Sequence, residues 1–117
     1  MKALKEKKKM GRTVVTIIVA NNADVLDVDK GTLQPHQVRR VELAGVVDTG
    51  ATRLVLPKAV VDQLGLPASE TIGVRYADQR RGKRKLVQNV WLEMQGRHGI
   101  FSAVVEPKRK DALIGAI

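Results

Sequence analysis

The sequence contains no cysteine, so a disulfide framework, a thiolate zinc site and a thiol nucleophile are all excluded. Its aromatic residues are only Tyr76, Trp91 and Phe101, too few for a platform on which the bases of a single strand could stack. The apolar run at residues 14–20 has the length of a strand and is interrupted by Thr16, which does not fit a signal peptide or a membrane helix. We therefore expect a cytoplasmic protein with no membrane partner.

Acidic residues are also scarce relative to basic ones. Twenty-one Lys and Arg against twelve Asp and Glu give a formal charge of +9, which would attract nucleic acid or another polyanion. Much of the excess lies in three short runs, at residues 5–9, 80–85 and 108–110. Such runs are usually solvated tails and turns, so the distribution disfavours nucleic acid as a partner.

With 117 residues the chain is sized for one domain with a modest core. Residues 1–12 are basic and lack apolar periodicity, which predicts a disordered leader. Residues 13–117 are then the folded domain, with order beginning at Thr13.

Short segments rich in β-branched residues recur through this domain and predict strands. The predicted strands are residues 13–20, 38–47, 54–56, 71–77, 85–94 and 100–105. Residues 21–37 carry turn formers without periodicity and are predicted to be a long loop. Polar turns are predicted at residues 78–82 and 95–99.

One helix is predicted, at residues 57–64. Pro57 suits a first helical position, Gly65 suits a left-handed C-cap and Pro67 prevents continuation. One short helix among six or seven short strands indicates a small, mostly antiparallel β-barrel or sandwich.

Metal binding has little support in the sequence. The predicted loop contains three aspartates, Asp24, Asp27 and Asp29. Counted from Asp27, the twelfth position of a calcium loop is Val38 where glutamate is needed, so a solvated acidic loop is the better interpretation. His36 and His98 are isolated and lack partners at ligand spacing. We predict neither a metal nor a cofactor.

An apolar strand that ends in Asp48, Thr49 and Gly50 is the most informative stretch of the chain. Asp and Gly can simply form a hairpin turn, and Leu113 to Gly115 can simply be the end of a buried strand. A carboxylate at the end of a core strand is nevertheless costly unless it is paired or used in chemistry. The presence of both segments in one chain favours the chemical interpretation.

Taken together, these segments resemble the retropepsin-like aspartic proteases, the superfamily of the retroviral proteases and their small prokaryotic relatives. The resemblance rests on apolar-apolar-Asp-Thr-Gly-Ala at residues 46–51 and on apolar-apolar-Gly at residues 113–115. It covers residues 13–117 and implies a small closed β-barrel of retropepsin type, with one lobe per chain. It also implies an aspartic endopeptidase that acts on a peptide or protein substrate.

The resemblance implies a role for each residue of the two motifs. Asp48 would be the catalytic carboxylate, and Thr49 would form a hydrogen bond across a dimer beneath it. Gly50 would let the backbone pass close to the carboxylates, and Ala51 would border the substrate channel. Gly115 would let its strand pass tightly beside the active-site loop.

A flap that closes over the substrate is also implied by the resemblance. The candidates are consecutive residues: Tyr76, Ala77, Asp78, Gln79, Arg80, Arg81 and Gly82. This segment is strongly basic, whereas retroviral flap tips are glycine-rich and apolar. A solvated hairpin tip remains the alternative interpretation of its charge.

Hydrolysis by this mechanism needs two carboxylates, and the chain carries one competent motif. None of the other six aspartates precedes Thr-Gly or Ser-Gly, so the second Asp48 is expected from a second copy in a homodimer. In the family a helix and an interface strand commonly follow the glycine motif, whereas only Ala116 and Ile117 follow Gly115 here. We therefore expect a weak dimer, or a monomer at low concentration. A non-catalytic interaction module is the second hypothesis, and a basic nucleic-acid-binding barrel is the third.

Overall fold

The protein is described by a computed structural model that covers residues 12–48 and 50–115. These residues form seven strands: β1 Arg12–Asn21, β2 Arg40–Asp48, β3 Leu54–Pro57, β4 Ala68–Arg75, β5 Arg81–Met94, β6 Arg97–Glu106 and β7 Ala112–Ile114. They also form helices α1 Asn22–Asp29 and α2 Lys58–Leu64, and a 3-10 turn at Pro35–Gln37. The leader predicted for residues 1–12 lies outside the described residues except for Arg12, which begins β1.

Six of the strands close into a barrel. The hydrogen-bonded order is β1-β2-β7-β3-β6-β5, and β5 returns to pair with β1. Most neighbours are antiparallel, but β7 runs parallel to β2, and β3 runs parallel to β6. β4 pairs with β5 and extends the sheet beyond the barrel as a hairpin. The predicted closed β-barrel with one lobe per chain is confirmed.

Side chains on the inner face of each strand fill the barrel, and those on the other face point outward. In β1, Ile17 and Val19 are buried, whereas Val14 is exposed. The same alternation buries Leu54 and Leu56 from β3. The pleat imposes this period of two, so each strand buries one face in the barrel and exposes the other. The β-branched runs in the sequence thus coincide with strands.

The loop predicted for residues 21–37 is wrong, and so is the expectation of a single helix. Asn21 caps α1, because its Oδ1 accepts hydrogen bonds from the backbone N–H groups of Ala23 and Asp24, at 2.9 and 3.2 Å. Its Nδ2 donates to the carbonyl oxygen of Leu64 at 2.8 Å, which ties α1 to α2. A buried Asn side chain thus starts a helix that apolar periodicity did not reveal.

A charged pair fixes the other end of this connection. Asp24 is buried and accepts hydrogen bonds from the backbone N–H, Nε and Nη2 of Arg39, at 3.0, 2.9 and 3.0 Å. The side-chain hydrogen bonds from Arg39 lower the pKa of Asp24. The guanidinium also lies where a side chain at Gly65 would project. Asp24 and Arg39 therefore hold α1, the start of β2 and the end of α2 together.

The predicted helix and turns need smaller corrections. Pro57 is the N-cap of α2, which therefore begins one residue later than predicted, and Gly65 ends it with φ of 70°. The turn predicted for residues 78–82 lies at residues 76–80 instead, because Gly82 pairs within β5 opposite Val74. Similarly, β6 begins at Arg97 and shortens the turn predicted for residues 95–99.

No helix formed by the described residues is long and apolar enough to cross a membrane.

Candidate active site

Asp48 is the last residue of β2, at one end of the barrel. Its side-chain Oδ1 accepts a hydrogen bond from the Gly50 N–H at 2.9 Å, and its carbonyl oxygen accepts one from the Ala51 N–H at 3.0 Å. The first bond orients the half-buried carboxylate, and the second fixes the main chain of the turn that follows it. Thr49, predicted to support Asp48, lies outside the described residues.

β7 lies between the two strands that flank the Asp48 turn. It pairs in parallel with β2, where Val47 faces Ile114, and in antiparallel with β3, where Val55 faces Leu113. Ile114 is buried, and its Cδ1 would be 2.7 Å from a Cβ placed on Gly45. A side chain at Gly45 would therefore displace that of Ile114.

Gly115 follows β7 and is packed against the backbone of the turn. A Cβ at this position would lie 2.6 Å from the nitrogen of Arg53 and 2.7 Å from both the carbonyl carbon and the carbonyl oxygen of Ala51. Those distances are shorter than real Cβ contacts, and backbone atoms cannot rotate away as a side chain can. The two motifs found in the sequence, separated by more than sixty residues, are thus in direct contact.

A cleft of about 580 Å³ separates the Asp48 turn from the β4–β5 hairpin. Its lining combines the turn, the hairpin and the strands beneath them, including Gly50, Ala51, Arg53, Gly73, Tyr76, Glu106 and Leu113. The cleft therefore has one wall made by the candidate catalytic turn and one made by the end of β4 together with Tyr76. An extended peptide could lie between them.

Tyr76 is the flap candidate that lines this cleft. Its hydroxyl donates to Glu106 Oε2 at 2.9 Å, and Arg84 Nε donates to Glu106 Oε1 at 2.8 Å. Burial raises the pKa of the Tyr76 phenol, and the hydrogen bond to Glu106 acts in the same direction. The carboxylate of Glu106 likewise raises the pKa of Arg84. The Glu106 carboxylate thus ties the turn of the hairpin, through Tyr76, and β5, through Arg84, to β6.

The remaining flap candidates, residues 77–82, do not contribute to the cleft lining. Asp78 accepts hydrogen bonds from the Arg80 backbone N–H and Nε at 3.1 and 2.6 Å, and the backbone bond is the larger cause of its lowered pKa. Gln79 has a positive φ of 72°, which completes the tight turn. Ala77 and Arg81 are exposed. Gly82 faces Tyr76 and Arg84, so its lack of a side chain leaves room for both.

Glu106 is the site residue that the sequence did not reveal. It follows a buried strand segment and precedes Pro107, which suggested only the end of a strand. No local pattern connects it to Tyr76, which lies thirty residues earlier in the chain. Only the pairing of β5 with β6 brings the two together.

Within residues 12–48 and 50–115, no group of three or more His, Cys, Asp or Glu side chains could hold a metal ion.

Comparison with known proteins adds to this geometry. The solution structure of simian foamy virus (mac) protease matches with a TM-score of 0.55, covering 87% of this chain and 86% of that chain. The two sequences are 16% identical, so the likeness concerns the fold. A search of curated proteins gave no match. The family described as aspartyl protease matches residues 35–116, well over half of the sequence, including the Asp48 turn and β7. By this match the chain belongs to the aspartyl protease family.

Proposed function

We propose that this protein is an aspartic endopeptidase. Two Asp48 carboxylates, one from each subunit of a homodimer, would activate a water molecule to hydrolyse a peptide bond. The observation that carries the proposal is the contact between the two motifs: Asp48 is oriented by the Gly50 N–H while Gly115 packs against the same turn. The aspartyl protease family match and the cleft beside the turn support it.

The chemistry explains why two copies are needed. Peptide hydrolysis requires a general base for the water and a general acid for the leaving amine. Two carboxyl groups about 3 Å apart hold one proton between them, and such a pair can perform both steps. Each chain carries a single Asp-Thr-Gly, so a two-fold axis beside Asp48 would bring the pair together.

Other residues would position the substrate and the pair. Gly50 and Ala51 line the cleft next to the turn, and Tyr76 lines its opposite wall. The hairpin that carries Tyr76 would close over an extended peptide and exclude water. Thr49 would support the pair across the dimer, and Gly115 would hold the turn from behind.

Replacing Asp48 tests the proposal most directly. We expect Asp48→Asn to lower cleavage of unfolded casein by about a thousandfold or more, because no neutral amide can act as the base. Asp62→Asn is the matched control, since Asp62 is exposed on α2, where it pairs with Lys58. Circular dichroism should show the same fold for both variants. Equal cleavage by Asp48→Asn and wild type would contradict the assignment.

Mixing the same proteins tests the two-chain site. In an equal mixture of wild-type and Asp48→Asn chains, only about a quarter of randomly formed dimers carry two Asp48 residues. At the same total chain concentration, activity should therefore fall to about a quarter of the wild-type value, whereas independent chains would keep about half. A mixture with Asp62→Asn should keep full activity. Sedimentation velocity across a concentration series should show a dimer wherever activity per chain is saturated.

The pH dependence follows from the shared proton. Cleavage should rise and fall in a bell-shaped profile whose limbs belong to the pair of carboxyl groups. A flat profile across the acid range, with the protein still folded, would count against the pair.

A cytoplasmic location remains a prediction from the sequence.

A further inference from the structure

Basic side chains are concentrated around the cleft. Four of them line it: Arg53 after the Asp48 turn, Arg75 at the end of β4, and Lys108 and Arg109 after β6. Three of these, Arg53, Arg75 and Lys108, are exposed and make no ion pair within the described part of the chain. We name these three residues the cationic rim.

Two acidic groups beside the cleft, Glu106 and Asp111, do not neutralise the cationic rim. Glu106, the acidic residue among those that line the cleft, already accepts hydrogen bonds from Tyr76 and Arg84. Asp111 pairs with Arg109 at 3.2 Å. The rim therefore faces the cleft with its positive charge uncompensated by these two carboxylates.

The rim residues come from three separate segments that converge on one concave site. Convergence distinguishes them from the basic run of the hairpin, where Arg81, Lys83 and Lys85 alternate along one exposed side of β5. A flat basic strand attracts any polyanion, whereas charges around a cleft select groups that fit within it. Tyr76 is also the one aromatic residue that lines the cleft, so stacking of several bases is not supported there.

We propose that the cleft selects polypeptide segments that carry Asp or Glu side chains close to the scissile bond. This inference rests on the proposed function, because it concerns the substrate of the same site. Carboxylates form charge-assisted hydrogen bonds with guanidinium and ammonium groups. In a two-fold dimer the rim occurs twice, so acidic residues are favoured on both sides of the bond that is cleaved.

The test begins with a cleavage site mapped in unfolded casein by mass spectrometry. Fluorogenic peptides of that sequence are then made with Glu, Gln or Lys at one flanking position on each side. We expect each Glu to raise kcat/KM about fivefold over Gln, the upper range for a partly exposed ion pair. The peptide with Lys should be the poorest substrate, and the differences should shrink as salt is added.

Two triple variants, each lacking three positive charges, show whether the preference for the Glu peptide arises at the cationic rim. The triple variant Arg53→Gln, Arg75→Gln, Lys108→Gln should bring the Glu-to-Gln ratio of kcat/KM close to one. The control removes the same charge from three exposed residues that do not line the cleft, through Lys30→Gln, Arg40→Gln and Arg97→Gln. It should retain the wild-type ratio. A ratio near one in wild type, or equal loss in both triple variants, would overturn the proposal.

Binding separates this proposal from the proposed function. Fluorescence anisotropy with the Asp48→Asn protein measures affinity for the Glu and Gln peptides without cleavage. If wild type cleaves no site in casein, the Glu and Gln peptides are built on an arbitrary casein segment of the same length. The inference is supported if the Glu peptide binds more tightly than the Gln peptide and this difference is lost only in the rim variant. That holds even if wild type cleaves nothing, a result that would refute the proposed function alone. Equal binding of both peptides overturns the inference. Tighter binding of oligo(dT), with displacement of the Glu peptide, would overturn it in favour of a nucleic-acid surface.

Discussion

The two walls of the cleft are held in place by different forces. At the Asp48 wall, β7 pairs on both sides, Ala112 and Ile114 are buried, and Gly115 touches backbone. At the hairpin wall, β4 pairs with β5 alone among the described strands, and Tyr76 and Arg84 add side-chain hydrogen bonds to Glu106 of β6.

The difference indicates how such a site divides its tasks. Close packing of backbone and apolar groups responds little to salt or pH, which suits a carboxylate that must keep its position. Hydrogen bonds between partly exposed charged groups are weaker and can exchange with water, which suits the flap proposed for this wall. The predictions below test whether the walls differ in this way.

The largest effect is expected at the Asp48 wall. We expect Gly115→Ala to lower the free energy of unfolding by about 3 kcal/mol, because its Cβ would overlap the backbone of Ala51 and Arg53. Gly73→Ala, on the hairpin, is the matched control: no atom lies within 4 Å of the added carbon. The control should change stability by less than about 0.5 kcal/mol. Urea unfolding measures both, and similar losses would erase the distinction.

The ion pair of buried Asp24 with Arg39 should contribute less to stability than the close packing at Gly115 but more than an exposed ion pair. Asp24→Asn should lower the free energy of unfolding by about 1.5 kcal/mol, because a buried acceptor of three hydrogen bonds loses its charge. Asp62→Asn, in an exposed pair, should have little effect.

The same variant has a predicted pH dependence. The pKa of Asp24 is lowered in the folded protein, so its contribution is present above its ordinary pKa near 3.8 and is lost as pH falls through the lowered value. The stability difference between wild type and Asp24→Asn should therefore shrink in acid below about pH 4. A difference that grows as the pH falls would contradict this assignment.

At the hairpin wall, Glu106→Gln should change local opening more than global stability. We expect less than about 1 kcal/mol on unfolding but faster amide exchange through residues 74–84, because the neutral amide holds Tyr76 and Arg84 more weakly. Exchange in β7 should stay unchanged. Tyr76→Phe removes one of the two bonds and should give a smaller change of the same kind. An equal increase of amide exchange in residues 74–84 and in β7 would show that the two walls do not open independently.

The smallest effect is expected at the tip of the hairpin. Asp78→Asn removes a pair with Arg80 whose two side chains are 57% and 75% exposed. The midpoint of urea unfolding should not move, because solvent screens such pairs. Amide exchange of Arg80, which donates its N–H to Asp78, should become faster. A clear loss of global stability would show that the tip is not independent of the barrel.

The two walls also differed in how far the sequence predicted them. The strands of the barrel followed from their β-branched residues, and the motifs around Asp48 and Gly115 predicted that the two lie in one site. The hairpin was located, but Gly82 was placed in its turn although it pairs in β5. The contact of Glu106 with Tyr76 was missed, because it joins residues that only the sheet brings together.

Helix α1 was missed for a different reason. Its buried residues include Asn22 and Asp24, so it lacks the apolar stripe on which helix prediction depends. Asn and Asp in this stretch indicated turns, yet the same side chains cap and anchor a helix once Leu64 and Arg39 are in place. Capping residues are ambiguous until their partners are known.

The position of β7 affects the order in which the molecule can be completed during synthesis. β2 and β3 are not neighbours in the sheet, and each is hydrogen-bonded to β7, which is translated after the other six described strands. Until residues 112–115 leave the ribosome, the barrel has a gap beside the Asp48 turn, and no Gly115 backs it. Contacts this distant in sequence form late in folding. A nascent chain would therefore carry Asp48 before the strand that supports its turn has joined the sheet.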